Sequence, residues 1–155
     1  MIKELKIEIP KGYAIKAFDT KTGIVSWKKD GNIKDRIKNF DDVLEELGSS
    51  DEDVIDYKVL SSNNVSKFIL ASLQIKMIVR VLNEGWIPDW TNNSEYKWYP
   101  WAYLYKNGEL PLGNCVYYYS NAGCSAHFCF KSEDICKYAF KTFNKEYFEY
   151  FKINL

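Results

Sequence analysis

Net charge is missing from this chain: 21 Lys and Arg side chains balance 21 Asp and Glu. Without a positive excess, no long-range field gathers nucleic acid non-specifically. No apolar run approaches the roughly 18 residues of a membrane span. The opening residues, MIKELKIEIPKGY, alternate apolar with charged side chains and lack the apolar centre of an export signal. The expectation is therefore a cytoplasmic protein whose four cysteines, Cys115, Cys124, Cys129 and Cys136, are reduced. None of them forms a C-x-x-C pair, which removes the strongest zinc and redox signatures. A glycine-rich phosphate loop, a Walker lysine and a nucleophile elbow are also missing, and imidazole is limited to His127.

Aromatic side chains are abundant. They make up 17% of 155 residues, within an ordinary hydrophobic content of 46%. That length and composition suit a single globular domain spanning residues 1–155, with a core built without staples. Charge is uneven locally. Residues 1–34 carry eight Lys against four acids, and residues 35–56 carry nine acids against Arg36 and Lys38. Two oppositely biased solvated surfaces explain this more simply than a recognition code. No repeat, low-complexity segment or linker interrupts the chain.

Periodicity predicts an α+β fold of short antiparallel strands packed on a central buried helix and a closing C-terminal helix. Alternation over residues 2–9, 13–18 and 24–29 predicts three strands of a meander. The segment NFDDVLEELG predicts a short helix capped by Asn39, with Asp41 and Asp42 in its first turn and Gly48 after its end. The acidic SSDEDVIDY that follows reads as exposed loop. Residues 63–84 form the clearest helix, apolar around much of its circumference, with Asn63 or Asn64 as cap and Gly85 as stop. Strands are expected at 97–106, at CVYYYS and at 126–131, with Pro100 confining the first to an edge or bulge. Ser132 should cap the last helix.

The densest aromatic stretch, WIPDWTNNSEYKWYPWAYLYK over residues 86–106, holds four of the five tryptophans. Trp86, Trp90, Trp98, Tyr99, Trp101 and Tyr103 can divide between core and an exposed face. Residues 86–130 carry only Lys97 and Lys106 against Asp89, Glu95 and Glu109. With so little positive charge, a long nucleic acid is a poor match, and a protein partner or a nucleobase-bearing small ligand suits the surface better. Asp89, between two tryptophans, is a candidate ligand contact, although an Asp capping its own turn is the commoner arrangement. His127 beside Cys124 and Cys129 supplies three possible zinc ligands at unconventional spacing, or a Cys–His pair without an identifiable third group. Small buried thiols beside an ordinary histidine explain it better, so neither a metal, a cofactor nor a catalytic residue is expected.

EIPKGYAI, LNEGWIPDW, KWYPW and FCFKSEDICKYAFKTF, in that order, resemble a small-protein family of Bacteroidota phages and prophage-like elements. The family pattern has Glu where Lys11 stands here and Arg where His127 stands, so an anion contact at that Arg would pass to His127 only in its protonated form. The resemblance implies a phage-associated, non-enzymatic protein in the cytoplasm of a bacterial host and brings no catalytic residues with it. The leading expectation is a binding module that engages a protein partner or itself through the aromatic surface of Trp86, Trp90, Trp98, Tyr99 and Trp101. It would act as a host-factor or defence antagonist, or as a virion accessory. Two alternatives remain: sequestration of a small nucleotide signal, with Lys97, Lys106 or Lys131 meeting phosphates, and a small hydrolase built on His127.

Overall fold

The computed structural model describes residues 6–10, 12–102, 114–119 and 126–152, which belong to two compact units, Met1–Asn32 and Ile33–Leu155. In the first unit, strands β1 (Tyr13–Phe18) and β2 (Val25–Lys29) form an antiparallel hairpin, with an irregularity between Ile15 and Ala17. Asp19 builds the connecting turn. Its carboxylate accepts from the Lys21 and Thr22 amides at 2.8 and 3.3 Å, and Gly23 takes the left-handed φ of 71° that the turn needs. The third strand expected over residues 2–9 does not form in residues 6–10, and residues 1–5 lie outside the described residues. Alternation supplies a face but no ladder partner. Instead the Pro10 carbonyl accepts from the Tyr13 amide at 3.1 Å and turns the chain.

Among the described residues, the second unit contains six α-helices and a second hairpin, and with the first hairpin this makes the fold α+β. Helix α1 (Ile33–Arg36) leads into α2 (Phe40–Leu47), where Asn39 and Asp42 form a reciprocal capping box and the Gly48 amide closes the last turn on Leu44. The acidic stretch expected as loop is helix α3 (Glu52–Ser61), capped by Asp51. Charge pairing overrides its polar composition. Asp53, only 6% exposed, accepts from Lys76 at 2.7 Å and Arg80 at 2.8 Å, while Arg80 also bonds Asp51 at 2.5 Å. Both cations come from helix α4 (Lys67–Leu82), so α3 docks through its acids.

Helix α4 is the central helix. Ala71, Ile75, Met77, Ile78, Val79, Val81 and Leu82 are buried around most of its circumference, and it packs against α2, α3 and the two C-terminal helices. It begins four residues later than residue 63, with Ser66 at the cap position making no side-chain cap bond. Its end is tied down: Glu84, at a left-handed φ of 49°, is held by ion pairs to Arg36 and Lys131, each 3.0 Å. Strands β3 (Lys97–Trp101) and β4 (Asn114–Tyr118) pair in register from Lys97↔Tyr118 to Trp101↔Asn114.

The expected strand over 126–131 is instead a 3₁₀ turn, Ala126–Phe128, after which Phe130 makes a single antiparallel bridge to Trp98. The closing helix is two helices, α5 (Glu133–Thr142, capped by Ser132) and α6 (Asn144–Phe151). The break is at Phe143, whose ring is 1% exposed and whose backbone leaves helical geometry without any Gly or Pro to signal it. Phe130, Phe140 and Phe143 are fully buried, each worth about 2–3 kcal/mol of apolar burial. Cys115 of β4 is disulfide-bonded to Cys136 of α5, correcting the expectation that all four cysteines are reduced. Among the described residues, no helix is long and apolar enough to cross a membrane.

Candidate functional site

The loop between α4 and β3 is organised by a lysine. Lys97 sits on β3 on the same face as Tyr99, so strand alternation directs both inward, and its side chain is 0% exposed. Its ammonium donates to the carbonyls of Asp89 at 2.5 Å and Asn92 at 3.1 Å, pairs with Glu95 at 3.1 Å, and lies 5.5 Å from the Trp90 ring centre. Glu95 in turn accepts from the Asp89 amide at 2.8 Å. Lys97, expected to face a ligand's phosphates, is therefore a structural pin whose three donors are spent on the loop. Lys131, the other described lysine considered for that role, is paired with Glu84.

Asp89 is exposed and caps its own turn. Its carboxylate accepts from the Thr91 hydroxyl at 2.7 Å and the Thr91 amide at 2.9 Å, and these bonds hold its pKa below the ordinary value. Tyr103, Lys106 and Cys124 lie outside the described residues.

Alternation sorts the hairpin rings into two faces. On one, Trp98 pairs across the strands with Tyr117, ring centres 5.0 Å apart, and Tyr96 packs edge-on to Tyr117 at 4.7 Å. Tyr119 joins them, 5.2 Å from Tyr96 and 5.6 Å from Tyr117. Hydrogen bonding to Tyr96, then desolvation and the other nearby phenols, push the Tyr119 hydroxyl up to about 12. Tyr96, Tyr117 and Tyr119 are each more than 40% exposed, and no cation of the described residues stacks on these rings. They form a contiguous aromatic surface of mutually packed rings.

Tyr99, Trp101, Val116 and Tyr118 occupy the other face and look into a cleft of about 240 Å³ completed by Phe128 and α6. Tyr99 is 6% exposed, so this ring, expected on the binding surface, belongs chiefly to the interior.

Trp86, Trp90 and His127 come together in a separate cleft of about 400 Å³, over Val79 and Cys129, with Lys76 and Arg80 at its side. Those two cations are already matched by Asp51 and Asp53. Asn83, buried beneath, clamps the adjoining strand by donating to the Cys129 carbonyl at 2.8 Å and accepting from the Lys131 amide at 3.0 Å. Sequence reasoning read Asn83 only as part of a helix end. Burial pushes the Cys129 thiol upward and favours its protonated form, the reverse of what a nucleophilic thiolate requires. His127 is exposed, and no hydrogen bond from a described residue reaches it. Among the described residues, no group of three or more His, Cys, Asp and Glu side chains is placed to hold a metal ion. Compared with protein-family models, with curated proteins and with solved structures, the chain finds no match.

Proposed function

We propose that this chain is a non-enzymatic binding module that engages a protein partner, or a second copy of itself, through the Tyr96, Trp98, Tyr117 and Tyr119 face of the β3/β4 hairpin. The observation that carries the reading is the exposure of three mutually packed tyrosines, with no cation of the described residues stacked on them. Rings fixed by their neighbours lose little freedom on association, and each offers apolar area with a polar tip, as protein interfaces favour. A phosphate backbone would find no charge here to neutralise. The motif resemblance adds a phage setting, in which such a module would act as a host-factor or defence antagonist or as a virion accessory.

The test is sedimentation of the wild type over a range of concentrations, together with photo-crosslinking from position 117 in host lysate. The module reading expects a concentration-dependent assembly or one dominant crosslinked protein, and Tyr117→Ala with Tyr119→Ala should abolish either. A wild-type monomer that yields no crosslink at position 117 would remove it.

A second reading, sequestration of a small nucleotide, is favoured by the meeting of Trp86, Trp90 and His127 beside Arg80. A base between the two indoles with its phosphate at Arg80 would displace Asp51 from that guanidinium. A thermal-shift screen with mononucleotides, dinucleotides and cyclic oligonucleotides tests it. The reading requires a shift that Trp90→Ala eliminates; a flat screen removes it.

A further inference from the structure

The cleft on the opposite face of the β3/β4 hairpin has a different chemistry and stands independently of the surface reading. Its walls are rings that brace one another: Phe128 packs edge-on to Tyr150 at 5.7 Å, and Tyr150 packs edge-on to Phe151 at 5.3 Å. No charged side chain of the described residues lines it. A dry apolar cavity of about 150 Å³ accommodates one benzene ring, so about 240 Å³ has room for a substituted ring.

One polar group there is unsatisfied. Tyr147 of α6 lines the cleft, is 2% exposed, and its hydroxyl has no hydrogen-bond partner among the described residues. Buried phenols normally find an acceptor, because leaving the group unpaired forfeits its hydration without replacement. Desolvation, then the nearby Tyr150 and Glu146, push the Tyr147 phenol far above its ordinary value, so it remains a neutral donor.

We infer that this cleft is a binding site for a small, uncharged, ring-bearing molecule with one carbonyl acceptor, the ring held among Trp101, Tyr118 and Phe128 and the acceptor completing the Tyr147 hydroxyl. Apolar rings supply the affinity, and the single phenol selects for the acceptor, the division of labour usual in small-molecule sites. The inference needs neither a partner protein nor the Tyr117 face.

The test uses two probes that share a phenyl ring and a two-carbon substituent: acetophenone, which carries the acceptor, and ethylbenzene, which does not. In an amide-resolved NMR titration of the full chain, both should give saturable shifts at Tyr99, Val116, Phe128 and Phe151. Acetophenone should bind about 3- to 10-fold more tightly, the contribution of one neutral hydrogen bond. Tyr147→Phe, which removes only the hydroxyl, should erase that preference while retaining ethylbenzene. Val116→Trp, at a half-buried strand position, should fill the cleft and abolish both. Absence of saturable shifts with either probe, or an unchanged preference in Tyr147→Phe, would overturn the assignment. So would tighter binding of phenyltrimethylammonium than of acetophenone, which would make the cleft a cation site.

Discussion

Each of the two hairpins pairs five residues of one strand with five of the other, yet their side chains have different destinations. No residue of β1 or β2 is buried, and Phe18 is 52% exposed. In β3/β4, Lys97, Tyr99 and Cys115 are buried, Trp98 bonds a further segment at Phe130 in both directions, and Cys115 is bonded to α5. Strand composition and a competent turn are common to both. An isolated two-stranded hairpin is marginal in water, so anchorage, not pairing, sets how much free energy separates each from its open form. Opening β3/β4 should cost nearly as much as unfolding its unit, whereas β1/β2 should open by a local event.

The largest blow to this contrast should come from Lys97→Met. The substitution keeps the length of the side chain but leaves two carbonyls and Glu95 without their donor, a loss of about 3 kcal/mol for a broken buried pair. Urea unfolding of the Ile33–Leu155 unit measures it, and a change below about 1 kcal/mol would deny Lys97 its role as the pin of the loop. Next is the disulfide. Replacing both Cys115 and Cys136 by Ser opens a loop of 21 residues' separation, with an expected loss of about 3 kcal/mol. Amide exchange should quicken along β4 and leave β1 and β2 unchanged. Equal acceleration in both hairpins would end the distinction between them.

The same residues show how far the sequence could be read. Asn39, Gly48 and Ser132 announced their helix ends because capping is local chemistry, and the apolar circumference over 71–82 marked α4 as central. Helix α3 escaped because what buries Asp53 is two cations more than twenty residues away, and pairing at that range leaves no local mark. The absence of a strand at 126–131 has a similar cause: Asn83, from another element, bonds the Cys129 carbonyl and the Lys131 amide, so those groups do not enter a ladder.

At the candidate site, the aromatic stretch was visible, but its division was not. A lysine among tryptophans suggested a ligand contact, until three loop groups were seen to occupy the Lys97 ammonium. Tyr147 was invisible because an unpaired hydroxyl is a property of its surroundings, not of its neighbours in the chain.

A smaller perturbation tests the β1/β2 side. Gly23 has a φ of 71°, and a Cβ added there would meet nothing within 4 Å, so Gly23→Ala carries a conformational cost alone, about 1 kcal/mol. Because no residue of β1 or β2 is buried, that should suffice to weaken cross-strand contacts such as Ile15 to Trp27 while the unfolding midpoint of Ile33–Leu155 stays fixed. Nuclear Overhauser effects between those strands give the readout. A midpoint that moves with them would show that β1/β2 opens only with the rest.

The gentlest probe is acid, because each hairpin is preceded or closed by an aspartate that caps a turn. Backbone and side-chain hydrogen bonds from Lys21 and Thr22 lower the Asp19 pKa, and those from Thr91 lower that of Asp89. A carboxyl whose folded pKa is depressed contributes its stability above the unfolded value, near 3.9, and loses it as pH falls through the folded value. Both turns should therefore slacken only below about pH 4. Their consequences should differ. Asp19 is the only side-chain cap on the Lys21 and Thr22 amides among the described residues, so its protonation should lower the cross-strand contacts of β1/β2. Asp89 shares its loop with Lys97, which holds the Asp89 and Asn92 carbonyls by an ammonium that acid leaves charged. Amide shifts followed from pH 5 to about pH 2.5 should show Lys21 and Thr22 moving together with the β1/β2 ladder, and Thr91 moving while β3/β4 remains paired. A β3/β4 ladder that dissolved in step with Thr91 would assign the loop to Asp89 and take it from Lys97.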